Sequence, residues 1–187
     1  VTNNIKKLLE LEQLARNNEP KKVLKQADSQ KPEDDDQKST RPQIEDVADK
    51  LLEGEKLKNL LDFIKWLRAN KISPTWATRN SWMVSVKGKR VCYIRVSQLD
   101  GLFTGSWWVS FHAEGLVDEN LINDEKLKEI AWSNIRKCRV CNSCFPGNNR
   151  VILGKEFEDI CGLAAPDFWN PGADEIECMK KLIQAKR

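Results

Sequence analysis

The sequence predicts an α+β domain: a small antiparallel sheet packed against helices, with a cysteine-rich subregion toward the C-terminus. Three patterns predict it. Apolar residues keep helical spacing from Val47 to Leu67, runs of period two follow between Trp82 and His112, and four of the six cysteines fall between Cys138 and Cys161.

Composition bounds the answer. The chain has 187 residues, 40% of them hydrophobic and 32% charged, so it can build one ordinary core beneath a charged surface. The net charge of +3 selects no partner class. No apolar run approaches the ~20 residues that span a bilayer, and the start carries no secretory pattern. Cysteines two residues apart suit a disulfide framework poorly, so the expected compartment is the reducing cytoplasm.

Residues 1–25 read as a helix that Thr2 or Asn3 caps, with Ile5, Leu8, Leu9, Leu11 and Leu14 on one side. Its bases outnumber its acids, so it is expected to pack on the domain or a second copy, or to meet an acidic partner. Residues 26–44, with the run Glu33-Asp34-Asp35-Asp36, lack the apolar side chains that offset ordering entropy. They read as a disordered acidic linker, and the α+β domain is expected over 45–187.

Within that domain Val47, Leu51, Leu57, Leu60, Leu61, Ile64 and Leu67 mark one long helix weakened at Gly54. Asn70 is its expected left-handed stop, and Pro74 forbids continuation. Trp82, Val84 and Val86 alternate on a strand, Lys87-Gly88-Lys89 turns the chain, and Cys92, Ile94 and Val96 alternate on the return. A loop from Gln98 to Gly105 precedes a third strand. Trp107, Val109 and Phe111 lie on one side of it, and Trp108, Ser110 and His112 on the other.

The seven tryptophans are the most informative large side chains. Each indole reads first as core, but a sheet lined by Trp82, Trp107 or Trp108 also offers a platform for a flat ligand. His112, the single histidine, shares the Trp108 side and reaches the same platform. The expected ligand-binding residues are therefore Trp82, Trp107, Trp108 and His112. No basic stripe interleaves the rings along the sequence, so a nucleic-acid partner is not expected.

A helix capped by Asn123 or Asp124 should run through Trp132 and deliver the chain to Cys138. The spacing Cys138-x2-Cys141-x2-Cys144 lets successive sulfurs converge on one ion, and Arg136, Lys137 and Arg139 favour thiolates. Cys161 is expected on a short helix begun near Gly154, with Phe157 and Ile160. Cys138, Cys141, Cys144 and Cys161 then form a closed four-sulfur site, the structural type of zinc centre. An iron–sulfur cluster is the runner-up, since Cys-x2-Cys-x2-Cys also opens ferredoxin motifs, although Phe145-Pro146-Gly147 follows where a fourth cysteine would be expected. Reactive or merely free thiols are the third reading of the cluster. Asn170-Pro171 reads as the start of a last helix carrying Ile176, Cys178, Met179, Leu182 and Ile183, and Cys178 is an alternative fourth ligand.

Residues 47–187 resemble a family of small bacterial cytoplasmic proteins known as a domain of unknown function. Trp82 with Lys87-Gly88-Lys89-Arg90-Val91-Cys92-Tyr93-Ile94, Gly154-Lys155-Glu156-Phe157 with Cys161, and Asn170-Pro171 carry the resemblance. It implies no activity. The sequence favours a binding module for a small molecule or a protein, stiffened by zinc, over an enzyme. A redox protein using iron–sulfur or thiols, and a regulatory protein docking through residues 1–25, are the alternatives.

Overall fold

In the computed structural model of the chain, residues 37–99, 103–114, 116, 121–135 and 147–187 are described. The helix expected over 1–25, linker residues 26–36, and Cys138, Cys141 and Cys144 lie outside the described residues. Residues 34–187 form one compact unit.

That unit takes in residues that composition assigns to the linker. Residues 37–40 make a helical turn. The Gln37 amide donates to Asn80 Oδ1 (2.8 Å) and accepts from the Asn80 N–H (3.0 Å). The Trp82 indole N–H donates to the Pro42 carbonyl at 3.0 Å. Hydrogen bonds to a fixed turn and a buried indole thus hold a segment that has few apolar side chains of its own.

The long helix splits in two. Helix α1 (Ile44–Leu51) buries Ile44, Val47 and Ala48, and α2 (Gly54–Ala69) buries Leu60, Phe63, Ile64 and Leu67. Between them Leu52 turns extended and is itself buried, its N–H still bonded to the Ala48 carbonyl. Burial of Leu52 in that conformation breaks the helix where Gly54 had weakened the pattern. At the far end the left-handed residue is Lys71 (φ 59°), not Asn70, whose φ is −90°. Asn70 instead bonds its side-chain amide back to the Trp66 carbonyl.

Five antiparallel strands follow: β1 (Thr75–Thr78), β2 (Ser81–Val86), β3 (Lys89–Leu99), β4 (Phe103–Phe111) and β7 (Asp167–Trp169), in the order β1-β2-β3-β4-β7. The three strands read from the sequence are the central ones. Trp82, Val84, Cys92, Ile94, Val96, Trp107, Val109 and Phe168 occupy one face and are buried against the helices, with Phe63 of α2 6.3 Å from Trp107. Strand β7 replaces what reads as a helix cap. Asn170 ends it, its side-chain oxygen accepting from the Trp107 N–H at 3.0 Å. Helix α4 (Ala173–Gln184) starts only after Gly172, whose N–H donates to the Glu175 carboxylate at 2.9 Å.

Helix α3 (Glu125–Ser133) starts as expected at Asp124, which accepts from the Leu127 N–H at 3.2 Å. The short helix expected from Gly154 is instead a hairpin, β5 (Asn148–Ile152) with β6 (Lys155–Ile160). Leu153 (φ 51°) and Gly154 (φ 81°) both take positive φ, the two-residue turn that matches strand twist. A register shift between Asn148 and Arg150 faces Asp159 (φ 53°) and breaks the alternation of β6. The bulge explains why Phe157, Ile160 and Cys161 mimic helical spacing.

Strand β4 passes very close to α1. A Cβ built at Gly105 (φ 66°) would lie 2.9 Å from the Leu51 carbonyl oxygen, whereas one at Gly88 (φ 77°) would meet nothing within 4 Å. Gly88→Ala should therefore cost about 1–2 kcal/mol, the left-handed penalty alone. Gly105→Ala should cost clearly more in chemical denaturation, and equal losses would contradict the close approach.

Candidate functional site

The sheet is covered on one face. Across the other, the register lines up two rows of side chains. Ser81, Arg95, Trp108 and Trp169 form one row, and Met83, Tyr93, Ser110 and Asp167 the next. Apart from buried Ser81, all of them are half-buried. Aromatic rings dominate: Trp108 and Trp169 stack with centroids 4.6 Å apart and planes within 2°. Tyr93 meets His112 at 5.5 Å, and the Arg95 guanidinium lies 5.6 Å from the Tyr93 ring centre.

Polar bonds fix this surface. Ser110 Oγ donates to Asp167 Oδ1 at 2.9 Å, and the Trp169 indole N–H donates to Asp167 Oδ2 at 3.2 Å. The carboxylate thus locks a ring and a hydroxyl into one arrangement, the preorganisation that a binding surface needs. It does not resemble a nucleophile–base pair. Ser110 gives its proton directly to Asp167, and Nε2 of His112 is buried without a hydrogen-bond partner.

A β-bulge adds a further residue. Val84 pairs with Cys92 but Ser85 pairs with Arg90, leaving Val91 as the extra residue. Both Val91 and Cys92 are buried, so Arg90 lies on the outer face with Ser85. Strict alternation would have placed Arg90 on the same side as Cys92. Beyond it, Lys87 and Lys89 are exposed at the β2–β3 turn. Burial first, and then the charge of Lys89, pull the Lys186 pKa down from its usual value. The basic groups therefore gather at this end of the sheet.

The four expected ligand-binding residues are divided between the faces. Trp108 and His112 lie on the outer one, while Trp82 and Trp107, 1% and 0% exposed, are core. Sequence reading missed Tyr93, Arg95, Asp167 and Trp169. Tyr93 and Arg95 were findable, since they alternate with Cys92 and Ile94. Asp167 and Trp169 were not, because β7 pairs with a strand more than fifty residues earlier.

Of the proposed metal ligands only Cys161 is among the described residues. It is half-buried, and the Leu163 N–H points at its sulfur at 3.5 Å. Among the described residues no group of three or more His, Cys, Asp or Glu side chains is arranged to hold a metal ion. The chain on either side of residues 136–146 is nevertheless anchored near Cys161. Ile135 bridges to Pro166, with the Asp167 N–H bonded to the Asn134 carbonyl at 2.9 Å. Gly147 donates to Asp159 Oδ1 at 2.8 Å, and Asn148 pairs with Ile160. Cys138 follows Ile135 by three residues and Cys144 precedes Gly147 by three. Cys178 is elsewhere, buried between α3 and α4 with its thiol donating to the Leu127 carbonyl at 3.3 Å.

Burial pushes the Cys92 thiol far up and the Cys178 thiol from 9.0 up to about 12. Both should resist alkylation in native protein at mildly alkaline pH and react only after unfolding, as read by mass spectrometry. The sign for stability follows. A thiol raised on folding holds its proton while the unfolded chain gives its proton up, so its contribution is complete below the unfolded value of 9.0 and is lost as pH rises toward about 12. Cys178→Ala should flatten that alkaline decline, and an unchanged decline would contradict the assignment.

No described helix is long and apolar enough to cross a membrane. Compared with protein-family models, with curated proteins and with solved structures, the chain matches none.

Proposed function

We propose that the chain is a binding module whose outer sheet face takes a small molecule or a protein segment that presents a flat group. The observation that carries this reading is the Trp108–Trp169 stack, held in place through Asp167 on the face opposite the described helices. Large rings kept at a surface and braced by partly buried hydrogen bonds supply contact area at small entropic cost. Tyr93, Arg95 and His112 complete the surface. Binding needs no chemical step. A reducing compartment such as the cytoplasm suits the buried thiols of Cys92 and Cys178.

A fragment screen by NMR tests the reading. Flat heteroaromatic fragments should shift the indole N–H signals of Trp108 and Trp169 and leave those of Trp82 and Trp107 in place. Hits confined to other surfaces would overturn it.

The cysteine cluster is the second part of the proposal: Cys138, Cys141, Cys144 and Cys161 hold one structural zinc. The anchors of Ile135 and Gly147, the described residues on either side of 136–146, support it, because each is held by a residue close to Cys161 in the chain. Zinc there would stiffen the approach to β7, which begins six residues after Cys161 and carries Asp167 and Trp169. Cys178, sealed between α3 and α4, is a poor fourth ligand.

Elemental analysis of protein purified without oxygen should find one equivalent of zinc. Cys161→Ser and Cys141→Ser should lose it with a large drop in stability, on the order of 10 kcal/mol for a small site. Cys178→Ser should keep it. Iron in its place, with visible colour, would favour the iron–sulfur reading, and neither metal would end both.

A further inference from the structure

On the outer face of β3, Arg90, Tyr93 and Arg95 stand in sequence, a base on each side of a ring. The bulge at Val91 produces this order, which is why a basic stripe is invisible in the alternation of the sequence. Next to it on β4 lies Trp108, a diagonal neighbour of Tyr93. Basicity is concentrated here. From Thr75 to His112 the chain carries Arg79, Lys87, Lys89, Arg90 and Arg95 against the single acid Asp100, although the net charge of the whole chain is only +3. The one acid among the described residues of the face, Asp167, lies two strands away from β3 with its oxygens bonded to Ser110 and Trp169.

We propose that this face binds single-stranded nucleic acid, with the sugar–phosphate backbone running along β3 and bases resting on Tyr93 and Trp108. The inference rests on the binding-face reading above and gives that face a nucleic-acid strand as its ligand in place of a small molecule or protein segment. Three features select this ligand over other flat molecules. Positive charge flanks the rings along one strand, as a polyanion with regularly spaced phosphates requires. Two aromatic residues on adjacent strands of an antiparallel sheet, with helices behind, give a stacking surface that every base can use. Asp167 sits beyond the rings, where a base edge with amino donors would lie and a phosphate would not. A duplex has its bases stacked inside and cannot use the rings.

Fluorescence anisotropy with a labelled mixed-sequence strand of about ten nucleotides tests the proposal, since single-strand sites span roughly 4–16. The full chain should bind the strand at low salt, and the affinity should fall as salt rises. Arg90→Gln and Arg95→Gln should each reduce the slope of log K against log salt by about 0.7. Tyr93→Ala and Trp108→Ala should each weaken binding about 5- to 150-fold. Thermal melts accompany each variant, and the exposed Arg90 serves as the position least able to disturb folding.

Four results would overturn the proposal: no binding at low salt, equal binding of the matching duplex, a mononucleotide binding as tightly as the strand, or ring variants that bind like the parent. Fragment-induced shifts at Trp108 without strand binding would remove the nucleic-acid assignment and leave the binding face standing. The absence of both would remove both.

Discussion

Among the described residues the helices lie on one side of the sheet only, and the rest follows from that constraint. The inner face closes through Trp82, Trp107, Ile94 and Phe168 against α1, α2 and α4, whose Ile44, Leu60, Phe63, Ile64, Leu67, Leu182 and Ile183 are buried. Burial of large apolar and aromatic side chains is worth roughly 1.5–3 kcal/mol each, so this layer holds the unit together. The opposite face carries polar and aromatic groups that are half-buried rather than sealed in the core. That Trp108 and Trp169 are on it, rather than serine or threonine, is what gives the face a functional reading.

Two local departures from regular structure shape that face. The bulge at Val91 turns two consecutive apolar residues inward and places Arg90 beside Tyr93. Strand β7 extends the sheet and delivers Asp167, whose two hydrogen bonds fix the Trp169 ring and the Ser110 hydroxyl. Both also feed the core, through Val91 and Cys92 at the bulge and Phe168 on β7. Each costs regularity, and each decides which side chains meet on the outer surface.

Much of the fold was legible in the sequence because its signal is local. Period-two runs at Trp82–Val86, Cys92–Val96 and Trp107–Phe111 are strands, and Asp124 caps α3. The failures share a cause, in that long-range pairing or a bulge overrode the local pattern. Strand β7 depends on a partner far back in the chain, and the β6 bulge makes a strand look helical. Helix α1 ends early because tertiary packing buries Leu52. The site was half legible for the same reason. Trp108 and His112 follow from alternation, Trp82 and Trp107 belong to the other face, and Arg90 needed the bulge. The cysteine spacing remains the clearest chemical pattern in the chain, and the described part of its surroundings is a set of anchors near Cys161.

The two adjacent tryptophans of β4 experience opposite surroundings, Trp107 sealed in the core and Trp108 half-buried on the outer face. Adding a soluble paramagnetic agent to isotope-labelled protein reads this directly from the side-chain signals of each ring. The account predicts strong broadening of Trp108 ring signals and none of Trp107. Equal protection of the two rings would mean that both sides of the sheet are covered, and the open face would not exist.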